Sequence, residues 1–409
     1  MRWPARTLAH VRAGERPVVF YVDNHMRPYT GGYTVRRGWR MQDKRVRPGI
    51  TDYYDHEEDG RPVLRIDVPS HDALTSWLTP LAQNLRKVLG PEAKILLAFD
   101  RAGAFPEQMA ELREKGFDFV TYERKPFALL AANAFENELT LDDETIHYRD
   151  ARTNLGKARG RVRRIAMRMP DARQINLVAV SDEDAPWLIG VMRGRWVQEN
   201  AFKHGAERWG INQLDARKVV DYPPDTIVPN PARRRLDRAL RLARARDGES
   251  RRALAALPLE HPRRERLEKD LADAVEQQAE LLALRPSTPK KAPLSETELA
   301  GKLVKHASNY KTAIDAVRIA CANAEADLAG ELAPFLARPA EAKRALRNLF
   351  SAPGHIRLGK RTIAVALLPA GNANELRAFD AFLDIVSRAN LVLPGDPLQR
   401  RLRFRSQVS

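Results

Sequence analysis

Three acidic residues stand where a chain could carry out metal-assisted phosphoryl chemistry. Asp23 closes the apolar run PVVFYVD (17–23), Asp100 closes KILLAFD (94–100), and Glu199 sits in WVQENAFKHGAERWG (196–210). In open α/β sheets, reacting groups collect at the carboxyl ends of strands. If the strands ending at Asp23 and Asp100 are neighbours, their carboxylates face each other, and a later helix can bring Glu199 over the same edge. Three hard oxygen ligands without clustered His or Cys suit Mg2+ or Mn2+ rather than zinc. Two such ions roughly 3.5–4 Å apart would clamp a phosphodiester and activate water or a 3′-hydroxyl for in-line attack.

Each acid also has an ordinary reading. A lone acid at a strand end is usually a cap or a turn former. Glu199 lies four residues after Arg195 and four before Lys203, so on one helix the three would form an ion-pair ladder on a solvated face. The two readings make opposite demands. In the ladder, Arg195 and Lys203 neutralise Glu199; in a metal site, they flank its opening and bind phosphate.

The elements that must position these acids read as an α/β domain. Strands are expected at 17–23, 33–39 and 63–68, a helix at 72–89 with Asp72 as N-cap and Gly90 beyond its end, and a strand at 94–100. The last is almost continuously apolar, as a strand buried on both faces requires. A short helix opening near Pro106 and a strand at 117–123 follow. Amphipathic strand-like pieces between 137 and 180 read as an inserted β region (about 128–182), and a helix from about Asp184 to Lys203 carries Glu199.

Beyond Pro231 the composition changes. Residues 231–284 are rich in Leu, Ala and Arg at helical spacing, and Pro258 and Pro262 should divide them into two helices. The arginines from Arg233 to Arg246, with Arg233, Arg234 and Arg235 at their head, outnumber the acids there and suit the backbone of DNA. Residues 285–295 read as a Pro-, Ser- and Lys-rich linker. Residues 296–409 read as a helical C-terminal domain with a small β element, namely a hairpin in HIRLGKRTIAVALLP (355–369) and a final helix at 372–389.

The 409 residues carry 69 Lys and Arg against 53 Asp and Glu, a net charge of +16. Such an excess favours a polyanionic partner, most often nucleic acid. No apolar run approaches the roughly 20 residues needed to span a bilayer, and the N-terminus lacks the apolar core of a signal peptide. A cytoplasmic, nucleoid-associated location with no membrane partner is therefore expected. Cys321 is the only cysteine, so an intrachain disulfide and a Cys-rich zinc site are excluded.

Taken together, FYVDNHMRPYTGG, LLAFDRAGAFP and RGRWVQENAFKH resemble the three acidic motifs of bacterial insertion-sequence transposases of the DDE type. The order of elements resembles their ribonuclease-H-like catalytic core with an inserted β region. The resemblance implies a mixed α/β catalytic domain over 1–230. It implies Asp23, Asp100 and Glu199 as catalytic residues holding two Mg2+ ions, with Mn2+ as the alternative. It further implies cleavage at element ends, joining of the 3′-hydroxyl to target DNA, and a homo-oligomer when active on DNA. Arg101, Arg195 and Lys203 become candidate DNA contacts. A related set of these enzymes carries Tyr, Arg, Glu and Lys along the Glu helix. Arg195 and Glu199 keep that spacing, while Met192 and Ala206 stand at the Tyr and Lys positions. Two other readings share these residues: a transposase-derived DNA-binding protein without catalysis, and a nuclease or junction resolvase on the same fold.

Overall fold

The computed structural model describes residues 16–68, 71–141, 143–154, 160–213 and 218–406. The chain divides into two compact units drawn from interleaved segments. One comprises 1–27, 51–215 and 309–409; the other comprises 28–50 and 216–308.

The first unit is built on a large mixed sheet. Its strands are β1 (Val18–Pro28), β3 (Arg45–Glu57), β4 (Pro62–Val68), β5 (Ile95–Phe99), β6 (Asp118–Tyr122), β7 (Asn137–Leu141), β8 (Glu144–Asn154), β9 (Arg161–Arg168) and β10 (Gln174–Val180). They lie in the order β4-β3-β1-β5-β6-β10-β9-β8-β7. β5 runs parallel to both β1 and β6, whereas β10 returns antiparallel to β6. The amphipathic segments read as a β insertion therefore extend the central sheet through the β6–β10 pairing.

Alternation along β1 explains the layers. Phe20 and Val22 face a core with Leu78, Leu81 and Leu85 of α1 (Leu78–Leu89) and Leu112 of α2 (Pro106–Glu114). Val19 and Tyr21 face the opposite core with Leu188, Ile189 and Met192 of α3 (Ala185–Gly194). Helices on both faces leave every residue of β5 buried, as its uninterrupted apolar sequence requires. Asp184 caps α3 by accepting a hydrogen bond from Trp187 N at 2.7 Å, the role its residue type favours. The expected cap of α1 is different: a 3-10 turn at Leu74–Ser76 precedes the helix, so Trp77 rather than Asp72 holds the N-cap position, while Gly90 ends the helix as expected.

β3 is the main departure from the sequence reading. Its segment, RVRPGITDYYDHE, is charged and contains Pro48 and Gly49, yet eight consecutive residues, from Gly49 to His56, are buried. Its buried Asp52 has partners from distant segments. Arg27 Nη2 donates to Asp52 Oδ1 at 2.8 Å, and Arg65 Nη2 donates to the same oxygen at 2.6 Å. Arg65 Nε lies 2.9 Å from Asp315 Oδ2, and Lys311 Nζ lies 2.5 Å from Asp315 Oδ1. This network ties β1, β3 and β4 to α7 (Ser308–Leu332). Asp55 has no hydrogen-bond partner for either carboxylate oxygen and is fully buried, which drives its pKa well above the usual range.

The C-terminal part of this unit packs α7, α8 (Ala342–Phe350) and α9 (Ala373–Arg388) around Leu332, Leu349, Phe379 and Phe382. The expected hairpin is β15 (Gly354–Leu358) with β16 (Thr362–Leu367), and β17 (Arg401–Ser406) adds parallel to β16. α9 begins at a capping box in which Asn372 and Glu375 exchange hydrogen bonds, a reciprocal arrangement that satisfies two otherwise orphaned donors.

The second unit contains a helical hairpin, α5 (Pro231–Ala256) and α6 (Arg264–Leu284), divided at Pro258 and Pro262 as anticipated. It also holds β2 (Arg37–Arg40), which pairs with Arg45–Pro48 of β3. Two short pairs complete it: β11 (Val219–Asp221) with β14 (Val304–His306), and β12 (Ile227–Pro229) with β13 (Lys291–Pro293). Residues 285–295, read from sequence as a linker, thus contribute a strand to this unit.

Candidate active site

Register places two of the three acids side by side. On the parallel strands β1 and β5, Val22 pairs with Phe99, so the next residue on each is an aspartate, Asp23 and Asp100. β1 continues to Pro28 instead of ending at Asp23, whereas β5 ends just before Asp100. The two carboxylates are held alike. Asp23 Oδ1 accepts a hydrogen bond from Asn24 N, and Asp100 Oδ1 accepts one from Arg101 N, each at 2.7 Å.

The helix carrying Glu199 is broken at Arg195, between α3 and α4 (Trp196–His204). The break decides where the arginine goes. Its Nη2 lies 3.5 Å from Asp23 Oδ2, and its Nη1 lies 4.0 Å from Asp100 Oδ1. Among the described residues, Glu199 and Lys203 make no ion pair, and both are exposed. The Arg195–Glu199–Lys203 ladder is therefore not formed.

α4 is fixed to the sheet by the residue beside Glu199. Gln198 is fully buried; its Nε2 donates to Tyr21 O at 2.9 Å and reaches His56 Nδ1 at 3.0 Å. Burial, with a smaller contribution from His25, pushes the His56 pKa down to about 3, so the neutral ring accepts that hydrogen bond. Tyr21 Oη donates to Val191 O at 3.0 Å. A Cβ on Gly194 would stand 2.7 Å from that hydroxyl. A side chain there would force Tyr21 to shift; the constraint is the close approach of helix to strand, not a positive φ.

The electrostatics of Asp23 reflect these neighbours. Burial pushes its pKa up to about 6; Arg195 and the Asn24 N–H oppose the rise, while Asp100 and Glu199 add to it. Asp23 is thus within electrostatic reach of both other acids. Burial outweighs the opposing influence of Arg195. Among the described residues, no group of three Asp, Glu, His or Cys side chains gathers closely enough to share one metal ion. The donors fit Mg2+ in kind, all being carboxylate oxygens.

A family model described as "Transposase protein" matches residues 11–405, nearly the whole chain. The chain belongs to this transposase family. No curated protein matches it.

In the transposase, Arg101 is the second cation beside the acids. Its Nε lies 3.9 Å from Asp100 Oδ1, more than half of its side chain is exposed, and its guanidinium stands 5.8 Å from the Tyr122 ring centroid. Burial raises the Tyr122 pKa, with Arg195 and Asp100 the next influences, so Tyr122 belongs to the same neighbourhood. Sequence reading missed Tyr122, Gln198 and His56; the only signal for Gln198 was its place beside Glu199.

The three arginines heading the basic helix take different roles. Arg233 is buried, its Nη1 donating to Arg285 O at 2.6 Å and Thr288 O at 2.7 Å while Nε pairs with Asp237 at 3.1 Å. It closes the end of α6 rather than pointing outward. Arg235 is exposed and paired with Glu298 at 2.5 Å. Arg234 is exposed and makes no ion pair among the described residues. At helical spacing it shares the outer face of α5 with Arg238, Arg241 and Arg252. Among the described residues, no helix is long and apolar enough to cross a membrane.

Proposed function

We propose that this transposase is of the DDE type, cutting DNA strands and joining the 3′-hydroxyl to a target in a metal-dependent reaction. The observation that carries the reading is the juxtaposition of Asp23 and Asp100 on neighbouring parallel strands, with Glu199 in electrostatic reach of Asp23. The strand order β4-β3-β1-β5-β6 and the electrostatic reach of Glu199 to Asp23 support a ribonuclease-H-like core, and we take the chain to be of insertion-sequence origin.

Asp23, Asp100 and Glu199 would hold two Mg2+ ions, or Mn2+, which when bound activate the nucleophile and neutralise the leaving oxygen. The protein's own groups do the rest. The Asn24 and Arg101 N–H groups orient the two carboxylates. The Gln198 hydrogen bonds hold α4 at its depth over β1. Arg195, which lies against both aspartates, is placed to take a phosphate oxygen when a strand enters, and Arg101 offers a second phosphate contact. The exposed arginines of α5 grip duplex backbone and fix register. Acting on two element ends, the enzyme works as a homo-oligomer.

A second reading, a DNA-binding protein without catalysis, draws support from Arg195, which already lies between Asp23 and Asp100 where a cation would sit. Incubation with supercoiled plasmid and Mg2+ or Mn2+ separates the two. The catalytic reading expects nicking by the wild type and joining of a pre-cleaved 3′ end into target DNA. It also expects Asp23→Asn, Asp100→Asn and Glu199→Gln each to abolish nicking while DNA binding survives. Binding without nicking under either metal would favour the second reading. Cutting without joining would indicate a nuclease.

A further inference from the structure

We infer that the groove beside Asp100 is a track for an unpaired DNA strand, a proposal that rests on the DNA-processing reading above. The groove has a volume of about 770 Å3 and starts at Arg101 and Tyr122, the residues next to the catalytic acids. Four cations line it: Arg101, Lys125, Arg168 and Arg173. Among the described residues, its lining includes one acid, Glu123. That carboxylate is already engaged by Arg164 on one oxygen and by Asn176 Nδ2, at 2.6 Å, on the other. Arg173 pairs with Asp171 at the surface. Lys125 and Arg168 have no ion pair among the described residues. The groove therefore presents net positive charge to solvent.

Its apolar part is what selects the occupant. Leu129 is 77% exposed, and the half-buried Phe127 lies with its ring centroid 6.0 Å from Lys125 Nζ. Duplex DNA turns phosphates outward and keeps its base faces stacked inside, so it offers an apolar wall little to bind. An unpaired strand exposes phosphates and base faces together, and cationic grooves with interleaved apolar or aromatic side chains suit it. A strand lying in this groove would pass next to Asp100 at one end. The groove thus fits the segment adjoining the scissile phosphate once it leaves its complement.

The test is fluorescence anisotropy with labelled dT20 and a 20-base-pair duplex, both on the Asp23→Asn background so that no cleavage intervenes. Single-stranded contacts contribute about 0.7 each to the slope of log K against log salt. Lys125→Gln/Arg168→Gln/Arg173→Gln should therefore lower the dT20 slope by about 2 and weaken dT20 binding roughly a hundredfold at 0.1 M salt, converging on the parent near 1 M. Phe127→Ala should weaken dT20 binding at least about fivefold at every salt concentration, since stacking is not screened. Leu129→Ser, a change on the surface, checks the apolar wall without disturbing the fold. Duplex affinity should change much less in all three variants. Equal losses for dT20 and duplex, or unchanged dT20 binding, would overturn the proposal. Binding here needs neither metal nor chemistry. A groove-dependent dT20 response, together with a wild type that never nicks plasmid, would count against the catalytic reading alone, and the converse result against the groove alone.

Discussion

Asp23→Asn should make the transposase more stable at neutral pH, and the gain should have a defined pH profile. The folded chain raises the Asp23 pKa from 3.8 to about 6, chiefly by burial. The unfolded chain therefore ionises first as pH rises, and between those two values folding takes up a proton. By linkage, this group's contribution falls as pH rises from about 4 to about 6 and is constant above that. The fall amounts to about 3 kcal/mol, a large part of a typical domain's 5–15 kcal/mol. Asparagine does not titrate and escapes the loss. Urea unfolding of both proteins at pH 4, 5, 6 and 7 in low salt gives the difference in unfolding free energy. Groups common to both, such as Asp67 with its pKa also near 6, largely cancel. The difference should climb by about 3 kcal/mol across the range and then level off. A flat difference, or one that shrinks as pH rises, would refute the burial-driven rise of the Asp23 pKa. Added Mg2+ should raise the stability of the wild type at pH 7 and leave Asp23→Asn little changed.

Gly194→Ala should cost about 1–3 kcal/mol through overpacking against Tyr21, and in a double-mutant cycle Tyr21→Phe should relieve part of that cost, because the clash is with the hydroxyl oxygen. Asp52→Ala should destabilise the protein by about 3–5 kcal/mol in thermal or urea unfolding, because it strands the buried Arg27 and Arg65 cations. Replacing Arg234, Arg238, Arg241 and Arg252 with Gln should lower the salt slope of duplex binding by about 3 to 4, at about 0.9 per phosphate contact; an unchanged slope would make this face of α5 merely solvated. Arg233→Gln should instead lower stability through the lost bonds to Arg285 O and Thr288 O, with little change in that slope.

Much of the frame was legible in the sequence because the forces that set it are local or periodic. The unbroken apolar run before Asp100 required a strand covered on both faces, and β5 is such a strand. Two prolines divided the basic segment into α5 and α6, and the last helix was expected at 372–389, where α9 (Ala373–Arg388) lies. The acids that end up nearest each other were also visible, since both follow apolar runs. What sequence alone did not yield depends on partners distant along the chain. β3 looked unlike a buried strand because Asp52 is neutralised by Arg27 and Arg65, and nothing in its own segment announces them. The Arg195–Glu199–Lys203 spacing looked like a ladder. The break at Arg195 and the two aspartates within reach of its guanidinium direct it elsewhere. Arg233 and Arg234 are neighbours of one type, yet one turns inward to carbonyls brought by the end of α6 and the other faces solvent. Residue type and spacing fixed which groups could ionise, cap or pack. Which opposite charge each would meet depended on segments far apart in sequence, and the tertiary structure decided it.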